Sequence, residues 1–307
     1  MNLKTCAVIY NPNSGNTLKP RYIKEYKKIL LKYGYDPRII KTEYGGHAKE
    51  IVSHLEHVDL VISMGGDGTF NEIMSGNLER KNRLILAHIP VGTTNDVGIM
   101  FGYGKDMKKN LRDLLNGVIK GIDVCLINDQ PFVYVAGFGK FLNVAYETPR
   151  ALKKKYGKVA YLIEGLKDFF RPTKLYKVTY KVNGIEKTGY YSFMLISNAN
   201  RIAGINNFYR NIKLDDDKFE VLFCNFKRRI DILRTFSVLL TTDISKVSGF
   251  EFYSTNYMEV KFENYPKKAW CVDGEKLDRA VLNYKIKNER NVKIMLPKRN
   301  VDKIFTK

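Results

Sequence analysis

Apolar positions in the first third of the chain alternate between two rhythms. Short runs at residues 5–10, 59–63 and 84–91 have the length and composition of buried strands, and residues 37–42 read as a further strand. Between them, Ile23, Tyr26, Leu30 and Leu31 recur at helical spacing within residues 20–33, residues 48–55 read as a short helix, and another helix begins over 69–74. This alternation predicts βαβ units and a mostly parallel sheet with helices on its faces. After about Gly121 the rhythm changes. Residues 123–127, 132–136, 175–182, 190–197, 219–226, 258–263 and 281–286 read as strands, several of them alternating, and "VNG" at 182–184 is a hairpin turn. Helical stretches near 150–169 and 229–240 interrupt them. The expected architecture is an α/β domain over 1–122, with a parallel sheet, followed by a β-rich, antiparallel, sandwich-like domain over 123–295.

Composition narrows the partners. The 307 residues carry 52 Lys and Arg against 32 Asp and Glu, a net charge of +20, which favours an anionic partner. Basic runs at 105–109, 153–155 and 227–229 come without any RRM, KH, helix-turn-helix or zinc-finger pattern, so nucleic acid is not the expected partner. Cys6, Cys125, Cys224 and Cys271 are scattered, with no C-x-x-C pair, as in a reduced cytosolic protein. The first apolar run is too short for a signal peptide, and no run reaches the length of a membrane span. Any membrane contact is therefore expected to be peripheral. His54 and His57 lack a third ligand nearby, so no zinc site is expected, and Trp270 reads as packing.

The candidate chemistry lies in polar turns after strands. "SMGGDGTFNE" at 63–72 and "GTTND" at 92–96 both end a strand and open a helix, and "NPNSG" at 11–15 follows the first strand. In a parallel sheet these turns share the carboxyl edge, where ligands bind. Glycine admits a ligand to the backbone, and a helix start offers free N–H groups to an anion. Each turn alone is also explained as a tight turn with a helix cap, with Asp67 or Thr69 serving one helix and Asn95 or Asp96 the next. Three such loops on one edge favour a phosphate ligand. Neither G-x-x-x-x-G-K-[ST] nor G-x-G-x-x-G is present. Asp67 would repel a phosphate directly, and makes sense with a divalent cation such as Mg²⁺ between them.

Taken together and in this order, "NPNSG", "GGDGTFNE" at 65–72 and "PVGTTNDVG" at 90–98 resemble the catalytic domain of diacylglycerol kinases and related lipid kinases, including sphingosine and ceramide kinases. "VAYETP" at 144–149, "KLDDDKFEV" at 213–221 and "VDGE" at 272–275 resemble the soluble bacterial members, so the likeness spans nearly the whole chain. It implies an ATP-binding first domain, to which a tail at about 296–307 returns, and a lipid-binding second domain. It places ATP against Asn11, Thr42, Gly65, Gly66, Asp67, Gly68, Thr69, Asn71 and Thr93. It makes Asp67 a catalytic acid, linked to Mg²⁺ through water. It implies a structural Mg²⁺ bound by the side chain of Asp216 and the carbonyls of Lys213 and Lys218, with Asp96 joining the network. It offers Asp273 or Glu275 as the base for the lipid hydroxyl.

Two departures stand out: Asp217 where the family usually has Gly, and Thr94 where many relatives have Gly. Without the resemblance, the 213–218 cluster reads as a solvated acidic turn and "DG" at 273–274 as a hairpin turn. The expectation is an ATP- and Mg²⁺-dependent lipid kinase, diacylglycerol to phosphatidic acid being the leading case. It would be cytoplasmic and docked peripherally on the anionic inner face of the membrane, with room for a homodimer. The alternatives are a kinase like NAD kinase, which shares GGDGT but not NPNSG or the D-G-E loop, and a catalytically silent lipid-binding protein of the same fold.

Overall fold

The computed structural model describes residues 3–14, 20–92, 95–141, 167–199, 201–202, 205–206, 212–228, 230–232, 250–277 and 280–306. The chain divides into two units, one formed by Met1–Ile122 with Arg290–Lys307 and the other by Asp123–Glu289.

Unit 1 is the α/β layer. Strands β1 (Lys4–Tyr10), β2 (Tyr35–Lys41), β3 (Leu60–Gly65) and β4 (Ile85–Pro90) pair in parallel in the order β2-β1-β3-β4. Helices α1 (Pro20–Lys32), α2 (His47–His54), α3 (Asp67–Leu78), α4 (Asp96–Met100) and α5 (Met107–Leu115) connect or follow them. The centre of the sheet, Cys6 to Ile9 and all of β3, is buried, as expected of a parallel sheet covered on both faces. Sequence order reverses between β1 and β3, so the crevice of an open α/β sheet lies at their carboxyl ends.

Strand β5 (Val118–Ile127) leads the chain out of unit 1. Unit 2 follows with β6 (Gln130–Phe132), β7 (Val135–Gly139), β8 (Tyr176–Val182), β9 (Ile185–Tyr191), β10 (Phe193–Ser197), a small ladder of β11 (Arg201–Ile202) and β12 (Ile205–Asn206), β13 (Phe219–Cys224), β14 (Phe250–Thr255), β15 (Tyr257–Phe262), β16 (Cys271–Val272) and β17 (Glu275–Lys276). Strand β18 (Asn283–Leu296) begins in unit 2 and ends in unit 1, where Ile294 and Met295 pair in parallel with Leu86 and Ala87. A short helix, α6 (Val301–Ile304), follows.

Within unit 2, β9, β8, β15 and the start of β18 form one antiparallel layer, and β14-β13-β10-β7-β16-β17 form another. Their facing side chains make one core. Tyr180 stacks on Phe223 at 4.2 Å, Phe138 meets Phe262 edge-on at 4.8 Å, and Trp270 lies 5.4 Å from Tyr284. The class expected from the sequence, α/β followed by an antiparallel β-rich unit, is the class found.

Particular elements differ from expectation. The strand read over 190–197 is two strands separated at Ser192, whose N–H bonds the Cys224 carbonyl. The last strand continues to Leu296 instead of ending at Ile286. Strand β14 and helix α5 had no signal in the reading of the pattern. The helices expected over 150–169 and 229–240 lie mostly outside the described residues, although 167–170 and 230–232 are helical. Among the described residues, no helix is long and apolar enough to cross a membrane.

Candidate functional site

In unit 1 the carboxyl ends of four strands are laced together. The Thr42 N–H donates to the Tyr10 carbonyl at 2.9 Å, Asn11 N–H to Met64 at 3.2 Å, and Val91 N–H to Gly65 at 2.8 Å. Thr42 is buried and Asn11 half-buried. The Asn11 side chain accepts the Asn13 N–H at 2.8 Å, which curls the turn after β1 over this edge. The loops expected to share one edge therefore do so.

The two glycine turns also close on each other. A Cβ on Gly92 would stand 2.7 Å from the Gly66 Cα, so only glycine permits this approach. Asn95 holds the second turn from inside, its Oδ1 accepting the Gly92 N–H at 2.7 Å while its own φ is +53°.

Asp67 joins the turns. It is the first residue of α3 and is buried. Its carboxylate accepts the N–H groups of Asp96 at 3.0 Å and Val97 at 3.3 Å, at the start of α4. One acid thus begins one helix and caps another. A carboxylate has about four acceptor positions, so these two bonds need not exhaust it. Gly65 ends β3, Gly66 precedes α3, Gly68 and Thr69 occupy its first turn, and Asn71 lies half-buried in the second. Thr93 lies outside the described residues. The start of α3, a helix of 12 residues, presents backbone N–H groups and the positive end of its dipole on this edge.

Unit 2 carries the other candidates. Asp273 and Gly274 have φ of +48° and +89°, as a two-residue hairpin between β16 and β17 requires. The buried Asp273 carboxylate accepts three backbone N–H groups, from Val133 at 2.6 Å, Tyr134 at 3.1 Å and Val135 at 3.0 Å. Glu275 is exposed on β17. The hairpin reading and the functional one are therefore compatible, because the hairpin presents Glu275 while Asp273 anchors it.

The acidic loop before β13 has a defined shape. Asp217 takes φ +57°, the left-handed conformation that the family's usual glycine would hold, and an aspartate tolerates it better than most residues. Its N–H donates to the Asp123 Oδ2 at 2.6 Å. Asp216 is half-buried and its Oδ1 accepts the Lys218 N–H at 3.2 Å. Burial raises the Asp216 carboxyl above the ordinary carboxylate value, against the lowering by the Lys218 hydrogen bond and charge. Lys213 is half-buried and Lys218 exposed.

Nearby Glu220, which the sequence reading did not single out, is pushed up to about 7, first by burial and then by the Asp216 charge. Among the described residues, no three His, Cys, Asp or Glu side chains are grouped to hold a metal by themselves. A cation here would need main-chain carbonyls beside Asp216. Oxygen-only donors suit Mg²⁺, and the buried Glu220 Oε2, without a partner among the described residues, is an acceptor that a nearby cation would satisfy, so the residues fit such an ion.

Comparison with known proteins points the same way. Residues 5–127 match the diacylglycerol kinase catalytic domain. A diacylglycerol kinase of Staphylococcus aureus (strain JH9) is 32% identical over 222 residues, covering 71% of this chain and 70% of the relative. A diacylglycerol kinase of Bacillus subtilis (strain 168) is 28% identical over 278 residues, covering 89% and 90%. The crystal structure of a diacylglycerol kinase from Bacillus anthracis str. Sterne superposes with a TM-score of 0.75 at 18% identity, covering 96% of this chain and 98% of that one.

Proposed function

The chain belongs to the diacylglycerol kinase family and is a lipid kinase, and on that premise we propose that it transfers the γ-phosphoryl group of ATP to a lipid hydroxyl in a Mg²⁺-dependent reaction, with diacylglycerol as acceptor and phosphatidic acid as product. The observation that carries the nucleotide reading is the pairing of two glycine turns at the carboxyl ends of β3 and β4, next to the sheet's switch point, pinned by Asp67. Backbone N–H groups at Gly65–Thr69 bind the phosphates, with Asn11, Thr42, Asn71 and Thr93 around them. Asp67 keeps the start of α4 in register with the start of α3, and its carboxylate would help to hold the metal that accompanies the nucleotide. Mg²⁺, when bound, neutralises charge on the transferred phosphoryl oxygens.

Of the two acids on the hairpin, Glu275 takes the hydroxyl proton, because three backbone donors already hold the Asp273 carboxylate. At the 213–218 loop, the Asp216 carboxylate and the carbonyls of Lys213 and Lys218 would hold a structural Mg²⁺, which keeps the loop folded. The net charge of +20 supports peripheral docking on an anionic membrane.

The test is a product analysis. Pure protein, ATP and MgCl₂ are incubated with micelles containing diacylglycerol, ceramide and sphingosine, and separately with NAD. Phosphatidic acid, formed in wild type and reduced about 10²–10³-fold in a folded Asp67→Asn variant, is the expected result. Phosphorylated NAD, or a different phospholipid as the main product, would overturn the substrate assignment.

A further inference from the structure

The 213–218 loop rests on a layer of buried polar groups. Asp123 accepts the Asp217 N–H through Oδ2 and donates its own N–H to the Leu214 carbonyl, both at 2.6 Å, which fixes the curve of the loop. Asn198 donates Nδ2 to the Asp123 carbonyl at 2.9 Å. The chain then enters β13, whose second residue, Glu220, is only 9% exposed. Register places Glu220 between Ser197 of β10 and Ser254 of β14. Ser254 donates its hydroxyl to Glu220 Oε1 at 3.3 Å, while Oε2 is buried with no hydrogen-bond partner among the described residues. Asn198 Oδ1 is likewise buried and unpartnered.

Both orphans in this cluster are oxygens. A buried acceptor is strongly unfavourable unless a hydrogen-bond donor, a proton or a cation satisfies it. The neighbouring loop already offers the oxygens that a hard divalent cation requires, β13 begins directly after Lys218, and the strand partner of Glu220, Ser197, adjoins the Asn198 that bonds Asp123 beneath the loop. The side chain of Asp217 is turned elsewhere, accepting from Asn256 Nδ2 at 3.3 Å. Glu220, with its buried unpartnered oxygen, is therefore an acid from the sheet able to share the charge of an ion at Asp216.

We propose that Glu220 is a second carboxylate of this cation site, its Oε2 facing the ion held by Asp216 and the carbonyls of Lys213 and Lys218. The proposal rests on the reading of that loop as a Mg²⁺ site, and adds a positioning residue from the body of the sheet. The ion would then tie the loop to β13.

The experiment uses the full-length chain stripped with EDTA and titrated with MgCl₂ alone, without nucleotide or lipid. Calorimetric binding and melting temperature are measured for wild type, Glu220→Gln and Asp216→Asn. Glu220→Gln is expected to weaken Mg²⁺ binding about 10–100-fold and to lose most of the Mg²⁺-dependent rise in melting temperature. Wild-type affinity in Glu220→Gln, with binding abolished in Asp216→Asn, would overturn the role of Glu220 and leave the loop site standing. No Mg²⁺ response in wild type would sink the loop site and the inference together. If Glu220→Gln does not fold, Glu220→Asp replaces it: weakened binding supports the role, and unchanged affinity removes it.

Discussion

At the scale of single residues, Asp273 and Glu275 are two positions apart in sequence and differ completely in surroundings. Asp273 is buried with three N–H groups pointing at its carboxylate, whereas Glu275 is exposed. Asp273→Ala leaves those donors unsatisfied and is expected to cost about 2–4 kcal/mol, read as a lower urea midpoint. Glu275→Gln is expected to leave the melting temperature unchanged and lower kcat by about 10²–10⁴. Equal activity losses at equal stability in both variants would contradict the division of roles.

His88 gives a second test. It is fully buried on β4, shares a hydrogen bond with Ser63 Oγ at 3.3 Å, and leaves Nε2 without a partner among the described residues. Burial lowers its pKa from 6.5 to about 3. The fold therefore holds the neutral ring, and the stability tied to it is full above about pH 6.5 and lost as pH falls toward 3. The loss should reach about 1.4 kcal/mol per pH unit between pH 6 and 4. Glu220, raised from 4.5 to about 7, acts with the opposite sign, losing stability as pH rises from about 4.5 to about 7. The His88 contribution is thus read as the difference in pH slope between wild type and His88→Gln, and identical slopes would refute it.

At the scale of elements, α3 is fixed at several points. Its start carries Asp67 and Gly66, its Glu72 accepts the Ala48 N–H of α2 at 3.2 Å, and Gly76 packs against the α2 backbone. A Cβ on Gly76 would lie 2.3 Å from the Lys49 carbonyl oxygen, a contact that backbone cannot easily relieve. Gly76→Ala should cost about 1–3 kcal/mol by overpacking. It should also raise the KM for ATP, because pushing α3 away from α2 moves the turn at its start. Urea denaturation and steady-state kinetics on one preparation would show both effects, and a loss of stability with unaltered KM would uncouple helix packing from the nucleotide turn. The same scale shows where pattern reading fails. Helix α5 begins within the run at 105–109 read as basic and extends past it; Asp106 caps it by accepting the N–H groups of Lys108 and Lys109, and Leu111 and Leu114 are its buried stripe. Strand β18 runs on through polar residues because pairing, not apolarity, extends it.

At the scale of the whole molecule, the +20 charge leads to a test of docking. Cosedimentation with vesicles rich in anionic lipid should fall steeply between low and high salt, each Lys or Arg near the surface contributing about 1 kcal/mol, while binding to neutral vesicles stays weak throughout. Binding indifferent to both salt and lipid charge would reduce the charge to an aid to solubility. The sequence by itself determined the fold class and the three polar turns, since strand and helix rhythms and glycine turns are local properties of neighbouring residues. It also pointed to Asp67, Asp216 and the hairpin acids as the charged groups of interest. Only the tertiary structure decided what those acids touch. Asp67 caps a helix that starts 29 residues later, Asp273 gathers N–H groups from about 140 residues earlier, and Glu220 meets Ser254 across a strand pair. A carboxylate's role is set by the donors and charges around it, and in this chain those come from segments that chain folding brings together, beyond the reach of any local pattern.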